Sequence, residues 1–261
     1  MIESFGLESV PLARTVKIDV YNPTGYKADS SASILLCNDG QDLLTMNFHD
    51  LFISLLDKSE IRPVTVVGIH CSDDRMNEYG MASGPDYKGR GSKGSLYHQF
   101  VLEELLPHLH NQAGVDRFAE YSYAGFSLGG LSAIDIAWNH PELFSKVGVF
   151  SGSLWWRSKS QNAKDYNPDQ DRLMHRQISL SDYRPGMKFF FECGELDESE
   201  DRNRNGVIDA IDDTLDLMKI LIRKGYREGP DIRYLQIPDG RHDVPTWARA
   251  LPVFLNWGWG R

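Results

Sequence analysis

The sequence predicts a three-layer α/β sandwich, with a mostly parallel central sheet that opens on an antiparallel strand. Three observations carry that prediction. Strand-like and helix-like segments alternate along the whole chain. Most of the strand-like segments are short, continuous apolar runs, too apolar to leave one face wet, as central parallel strands are. The first one differs, because Val16, Ile18 and Val20 alternate with Lys17 and Asp19, the period of a half-exposed strand near a sheet edge.

Taken in order, this edge strand is followed by apolar runs at 34–37, 64–70, 121–126, 146–150, 188–193 and 232–237, each read as a central strand. Helical patterns lie between them at 98–110, with Pro107 limiting its end, at 128–138, at 208–224 closed by Gly225, and at 244–257. The segment 80–94 carries glycines at 80, 84, 89, 91 and 94 among Lys88, Arg90 and Lys93, and reads either as a flap over a site or as a surface connection. At 261 residues, 41% of them apolar, the chain can bury one sizeable core, so a single domain over 1–261 is expected. A net charge of -9 repels phosphate backbones and no basic tract offsets it, which argues against nucleic acid as a partner. No apolar run reaches membrane-spanning length. Residues 1–10, with Glu3 and Glu8, lack the basic start and apolar stretch of a signal peptide, so a cytoplasmic location is expected for the chain as it stands. Cys37, Cys71 and Cys193 are odd in number and flank apolar runs, so buried free thiols are expected.

Gly125-Phe126-Ser127-Leu128-Gly129 fits G-x-S-x-G, in which a serine occupies a sharp strand-to-helix turn that glycines make sterically accessible. So short a motif occurs by chance, and its context decides: an apolar strand precedes it, a helix follows it, and Gly129 and Gly130 let that helix approach the sheet. A serine hydroxyl needs a base to take its proton and a carboxylate to orient that base, and in sheets of this kind the chain order is serine, acid, histidine. Only His140, His175 and His242 follow Ser127. His242 comes directly after the last strand, at the sheet edge where the serine lies, and is the candidate base. Asp197 follows the strand 188–193 at the same edge and is the candidate acid, with Glu195 and Glu198 as rivals.

Several further stretches, taken together with these, resemble one family. They are Asn38-Asp39-Gly40-Gln41, Val66-Val67-Gly68-Ile69 followed by Arg75 and Glu78-Tyr79, Glu104-Leu105-Leu106-Pro107, Ala124 to Leu131, His140-Pro141 with Phe144, and Ser151-Gly152-Ser153 before Trp155-Trp156. The pattern, over residues 12–258, is similar to the putative esterase family, which also holds enterochelin and feruloyl esterases and, more distantly, mycolyltransferases. The resemblance implies an α/β-hydrolase fold with Ser127, Asp197 and His242 as its triad. It also implies an oxyanion hole made by the Gln41 and Leu128 N–H groups, amides aimed at the charge that develops in acyl transfer. It suggests Arg75, Glu78 and Tyr79 as pocket residues, against the alternative of a buried ion pair holding their loop. Trp155 and Trp156 read either as an aromatic wall for an acyl or sugar group or as core packing.

The chain departs from the family between the acid and the next helix, where it carries Asp201-Arg202-Asn203-Arg204-Asn205-Gly206-Val207-Ile208-Asp209-Ala210-Ile211-Asp212. Asp201, Asn203, Asn205, the Val207 carbonyl and Asp212 fall at ligand positions of an EF-hand calcium loop, and Gly206 falls at its sharp turn. The twelfth residue is Asp rather than Glu, and no entering helix fits before it. The insert therefore reads as a structural Ca2+ site or as a solvated loop that caps the next helix. No cofactor is expected for catalysis itself. The expected activity is hydrolysis of a small-molecule or glycan carboxylic ester through an acyl-enzyme. An acyltransferase using the same triad and a catalytically silent binding module are the alternatives, and the sequence names neither the ester nor an oligomeric state.

Overall fold

The computed structural model describes residues 2–23, 25 and 28–261. Its strands are β1 (Ile2–Ser9), β2 (Arg14–Tyr21), β3 (Ser33–Asn38), β4 (Thr65–Ile69), β5 (Glu120–Phe126), β6 (Phe144–Phe150), β7 (Lys188–Leu196) and β8 (Ile232–Arg241). They form one sheet in the order β1-β2-β4-β3-β5-β6-β7-β8. The pairings β1 with β2 and β2 with β4 are antiparallel, and every pairing from β4 to β8 is parallel. The expected architecture is therefore the observed one, with one addition. β1 escaped the sequence reading because an outermost strand that is half solvated needs no apolar run, and Ile2–Ser9 is mostly polar or half-exposed.

Alternate residues of the central strands feed two cores, as the two-residue period of a strand requires. Ile34 and Leu36 of β3 join one core with Tyr97 and Phe100 from residues 94–113, Leu131 and Ile134 from helix Leu128–Asn139, and Leu217 from helix Asp209–Lys224. Leu35 and Cys37 join the other, with Phe52 from helix Phe48–Asp57 and Phe254 from helix Val244–Trp259. Helices thus cover both faces, and no helix among the described residues is long and apolar enough to cross a membrane. Cys37 and Cys193 are buried, Cys71 is half-buried, and all three are free thiols.

Pro107 does not end its helix. Helical structure runs on to Ala113, where Gly114 turns left-handed at φ 70°. The segment Phe100–Leu105 just before it is wound as a π-helix, and this wider turn makes room for a ring that would clash with the preceding carbonyl in a regular α-helix.

The parallel run fixes where the chemistry gathers. Every strand from β4 to β8 and β3 ends on the same edge, so the residues just after Asn38, Phe126, Phe150, Leu196 and Arg241 meet there without further instruction from the chain.

Candidate active site

Ser127 sits at φ 54° and ψ −118°, a backbone conformation rarely adopted outside glycine, between β5 and helix Leu128–Asn139. Its N–H donates to the Phe150 carbonyl at 2.8 Å and its own carbonyl accepts from Ser153 N–H at 3.0 Å, so the neighbouring strand end holds the turn from both sides. The flanking glycines are required sterically. A Cβ at Gly125 would lie 2.4 Å from the Gly129 carbonyl oxygen, and one at Gly129 would lie 2.5 Å from Asp39 Oδ2.

The Ser127 hydroxyl meets His242 Nε2 at 2.8 Å, the hydrogen bond through which a base would take its proton. His242 follows β8 and immediately precedes Asp243, whose Oδ1 accepts Thr246 N–H at 3.0 Å and caps helix Val244–Trp259. That cap anchors the loop bearing His242, and Trp247 packs edge-on against the imidazole, ring centroids 5.4 Å apart. Packing around the ring lowers its proton affinity below the ordinary value of 6.5, Arg75 acts in the same direction, and the charges of Asp197 and Asp243 oppose. The net effect favours the neutral imidazole, the form able to accept a proton.

The three carboxylates that are candidates for the acid differ in their surroundings. Glu195 is exposed, with Oε1 accepting from Gln236 Nε2 at 2.7 Å. Glu198 accepts the Ala210 N–H at 2.5 Å and so caps helix Asp209–Lys224. Both oxygens of Asp197 are shut off from solvent and accept no hydrogen bond among the described residues. Its carboxyl is raised above the ordinary value, chiefly by burial, while the Ser151 hydroxyl and the neighbouring His242 favour its charged form. Asp197 and His242 do not form a hydrogen bond here: the serine–histidine contact is closed and the histidine–aspartate contact is open.

The first strand-end turn is the second rigid part of the site. Asp39, at φ 59°, is buried and held by Arg75, with Nε to Oδ1 at 2.7 Å and Nη2 to Oδ2 at 2.8 Å. The same Nη2 reaches the Phe126 carbonyl at 3.2 Å, so one guanidinium ties the turn bearing Gln41 to the residue before Ser127. Gln41 is braced by Cys71, accepting its N–H and donating to its sulfur, each at 3.2 Å. Among the described residues neither the Gln41 nor the Leu128 N–H is donated to a protein acceptor.

The remaining sequence candidates divide. Glu78 is buried in a bidentate pair with Arg14, both contacts 2.7 Å, and Tyr79 is buried with its hydroxyl accepting Asp39 N–H at 3.1 Å. These two brace the site from within and present no surface to a bound molecule. Trp156 is likewise buried, whereas Trp155 is half-exposed under the Arg90 guanidinium, 4.7 Å from its ring centroid. The glycine-rich segment 80–94 is pinned rather than loose: Gly80 N–H donates to Ser132 Oγ at 2.8 Å, Ala82 N–H to Asp135 Oδ2 at 2.7 Å, and a Cβ at Gly91 would strike the Trp156 ring at 2.7 Å. Beside the acid loop, Tyr87, Arg90, Trp155, Arg157 and Glu198 line a cleft of about 350 Å³. Sequence reasoning missed Ser153, whose hydroxyl lies 3.4 Å from that of Ser127, and missed Asp39 as the partner of Arg75. The family pattern contained both residues, but only the fold shows which atoms they meet.

In the insert, Asp201 accepts from the Asn205 and Gly206 N–H groups at 3.1 and 2.9 Å, and Gly206 turns at φ 84°. The Asn203 and Asn205 side-chain amides both reach Asp212 Oδ2, at 2.7 and 2.9 Å. The side chains of positions one, three, five and twelve thus face one another. Asp209 instead turns to the Arg202 N–H at 2.9 Å. Among the described residues no group of three or more His, Cys, Asp or Glu is placed to hold a metal, so a cation here would rely on amide and backbone oxygens besides two carboxylates.

A family model described as putative esterase matches residues 9–257. A curated relative, the uncharacterized protein YbbA of Bacillus subtilis (strain 168), is 23% identical over 254 residues, covering 94% of this chain and 93% of that one. Among solved structures, the enterobactin esterase of Shigella flexneri in the presence of enterobactin superposes with a TM-score of 0.73 at 22% identity, over 98% of this chain. This chain spans 58% of that protein's length. An IroE-like serine hydrolase from Shewanella oneidensis gives 0.73 at 19% identity, covering 99% of this chain and 80% of that chain. A ferulic acid esterase gives 0.70 at 16% identity, covering 98% and 96%.

Proposed function

The chain belongs to the putative esterase family, and from that premise we propose that it is a carboxylic-ester hydrolase that cleaves its ester through an acyl-enzyme on Ser127. The observation that carries this reading is the 2.8 Å contact between the Ser127 hydroxyl and His242 Nε2 on a strained strand-to-helix turn. His242 takes the hydroxyl proton as Ser127 Oγ attacks the ester carbonyl, and the Gln41 and Leu128 N–H groups receive the oxyanion. The alkoxide leaves with the proton from His242, and water then attacks the acyl-enzyme by the same route in reverse. Asp197 is the acid: both its oxygens are buried and accept no hydrogen bond among the described residues, whereas Glu195 and Glu198 each have one oxygen engaged elsewhere, and turning the Asp197 carboxylate toward His242 completes the triad. The chain acts as one α/β-hydrolase unit, and the cleft beside Trp155 takes the bulkier part of the substrate.

The experiment is a hydrolysis profile over catechol-type siderophore esters, feruloylated or acetylated glycans and short p-nitrophenyl esters, with a sugar alcohol added to detect acyl transfer. Hydrolysis without transferred acyl product supports the reading. Acyl transfer in preference to hydrolysis replaces it with a transferase, and no turnover on any class replaces it with a binding module.

The insert adds a structural role for calcium, favoured by the convergence of Asp201, Asn203, Asn205 and Asp212 around the turn at Gly206, with the Val207 carbonyl beside them. Asp201 lies four residues after Asp197, so an ion there would brace the loop of the acid and take no part in the ester chemistry.

A further inference from the structure

Glu192 is a carboxyl group that the reaction as derived does not use. It lies in β7 opposite Phe150, is 0% exposed, and forms no ion pair among the described residues. Its backbone carbonyl accepts Ser151 N–H at 2.8 Å, its Oε2 accepts from Ser151 Oγ at 3.4 Å, and its Oε1 has no partner among the described residues. Ser151 is itself buried and held at φ 44°, a strained conformation that persists only where its surroundings over-determine it. Its hydroxyl already accepts the Trp247 indole N–H at 3.0 Å. One proton is therefore left for that hydroxyl to give; in the structure it goes to Glu192, while the Asp197 carboxylate, whose charged form the same hydroxyl favours, accepts no hydrogen bond among the described residues.

We propose that Glu192 is a positioning residue for the triad: as a neutral acid it donates a hydrogen bond to Ser151 Oγ, which turns the Ser151 proton onto Asp197 and aims that carboxylate at His242. This rests on the reading of Asp197 as the acid. No proton changes owner in the arrangement; each hydroxyl hydrogen stays on its oxygen, and only the direction of donation is set. Burial and then the charge of Asp197 push the Glu192 carboxyl up to about 8, against the Ser151 hydrogen bonds and Arg249 of the last helix. Tyr234 on β8 and Cys193, the next residue of β7, lie close by on the opposite face of the sheet, and burial holds both neutral. Near pH 7 Glu192 thus keeps its proton. Above about pH 8 it becomes an acceptor, takes the Ser151 hydrogen bond for itself, and releases Asp197.

Glu192→Gln keeps the shape and donates from an amide at every pH. Wild-type kcat should fall on the alkaline side of about pH 8, while Glu192→Gln should hold its pH 7 kcat through that range, with KM unchanged in both. Ser151→Ala should lose about tenfold in kcat at unchanged KM, the size typical of removing an orienting partner. Thermal melts give a readout apart from activity. The folded chain binds a Glu192 proton that the unfolded chain, titrating near 4.5, has released, so this contribution to stability is present below pH 4.5 and lost as pH rises through about 8. The melting temperature of Glu192→Gln relative to wild type should therefore climb from pH 5 to pH 8. An alkaline limb that survives in Glu192→Gln while Asp197→Asn is crippled overturns the proposal and leaves the triad standing. Full activity in Asp197→Asn removes the triad reading and this proposal with it.

Discussion

Replacing Arg75 by alanine would leave the Asp39 carboxylate buried, 1% exposed, without the two contacts of 2.7 and 2.8 Å that neutralise it. Removing one partner of a buried ion pair costs about 3–5 kcal/mol, because the surviving charge has lost both water and its counter-ion. At about 2–4 °C per kcal/mol for a chain of this size, the melting temperature should drop by about 6–20 °C. The same guanidinium holds the Phe126 carbonyl at 3.2 Å, so the turn bearing Gln41 and the turn bearing Ser127 should separate. Loss of one oxyanion donor is worth about 10²–10³ in kcat. The assay pairs a thermal melt with kcat and KM on a short p-nitrophenyl ester, for Arg75→Ala and for the double variant Asp39→Asn, Arg75→Met. The double variant should regain most of the stability, since a neutral pair of similar volume leaves no buried charge, but not the turnover. An Arg75→Ala protein that melts with wild type and turns over at the wild-type rate would refute both parts of the reasoning.

Asp197→Asn should lower kcat by orders of magnitude, about 10⁴ where the same substitution misorients the histidine of a serine protease, with Glu195→Gln and Glu198→Gln milder. A larger loss in either glutamate variant would move the acid to that residue. The pH profile of kcat/KM should rise with a midpoint below 6.5, because packing and Arg75 lower the proton affinity of His242 and only the neutral imidazole accepts the Ser127 proton. A midpoint above 6.5 in the free enzyme would contradict that environment. A chelator should lower the melting temperature, since calcium at a hundredfold its dissociation constant stabilises by about 2.7 kcal/mol. It should also reduce kcat more than it raises KM, and Asp201→Ala should make the protein indifferent to it. Coincident melts with and without chelator would reduce the insert to a solvated helix cap.

The central strands were legible because burial on both faces leaves a continuous apolar signature: 121–126 and 188–193 sit inside β5 and β7, and only the ends differ. The helices Gly40–Thr45, Phe48–Asp57 and Leu173–Leu180 went unread, being short and lacking side-chain caps or long periodic stretches. Placement of Ser127 and His242 at one edge follows from strand order alone, so their meeting at 2.8 Å needed only the topology. What sequence could not supply was the partner of each buried charge. Arg75 is 36 residues from Asp39, Arg14 is 64 from Glu78, and Glu192 is 41 from Ser151, and no local pattern encodes such contacts. The choice among Glu195, Asp197 and Glu198 had the same origin. It turns on which oxygens are already engaged, by Gln236 and by the Ala210 N–H, and those partners are 41 and 12 residues away.

The central claim is that Ser127 is the nucleophile of an ester hydrolase, and covalent trapping tests it most directly. Incubation with a fluorophosphonate, followed by intact mass and peptide mapping, should show one adduct per chain, carried on Ser127, with ester hydrolysis lost in proportion to labelling. Ser127→Ala should fold with the wild-type melting temperature, take up no label and hydrolyse no ester. A folded Ser127→Ala protein that keeps wild-type turnover, or a stoichiometric adduct on any other residue, would contradict the account.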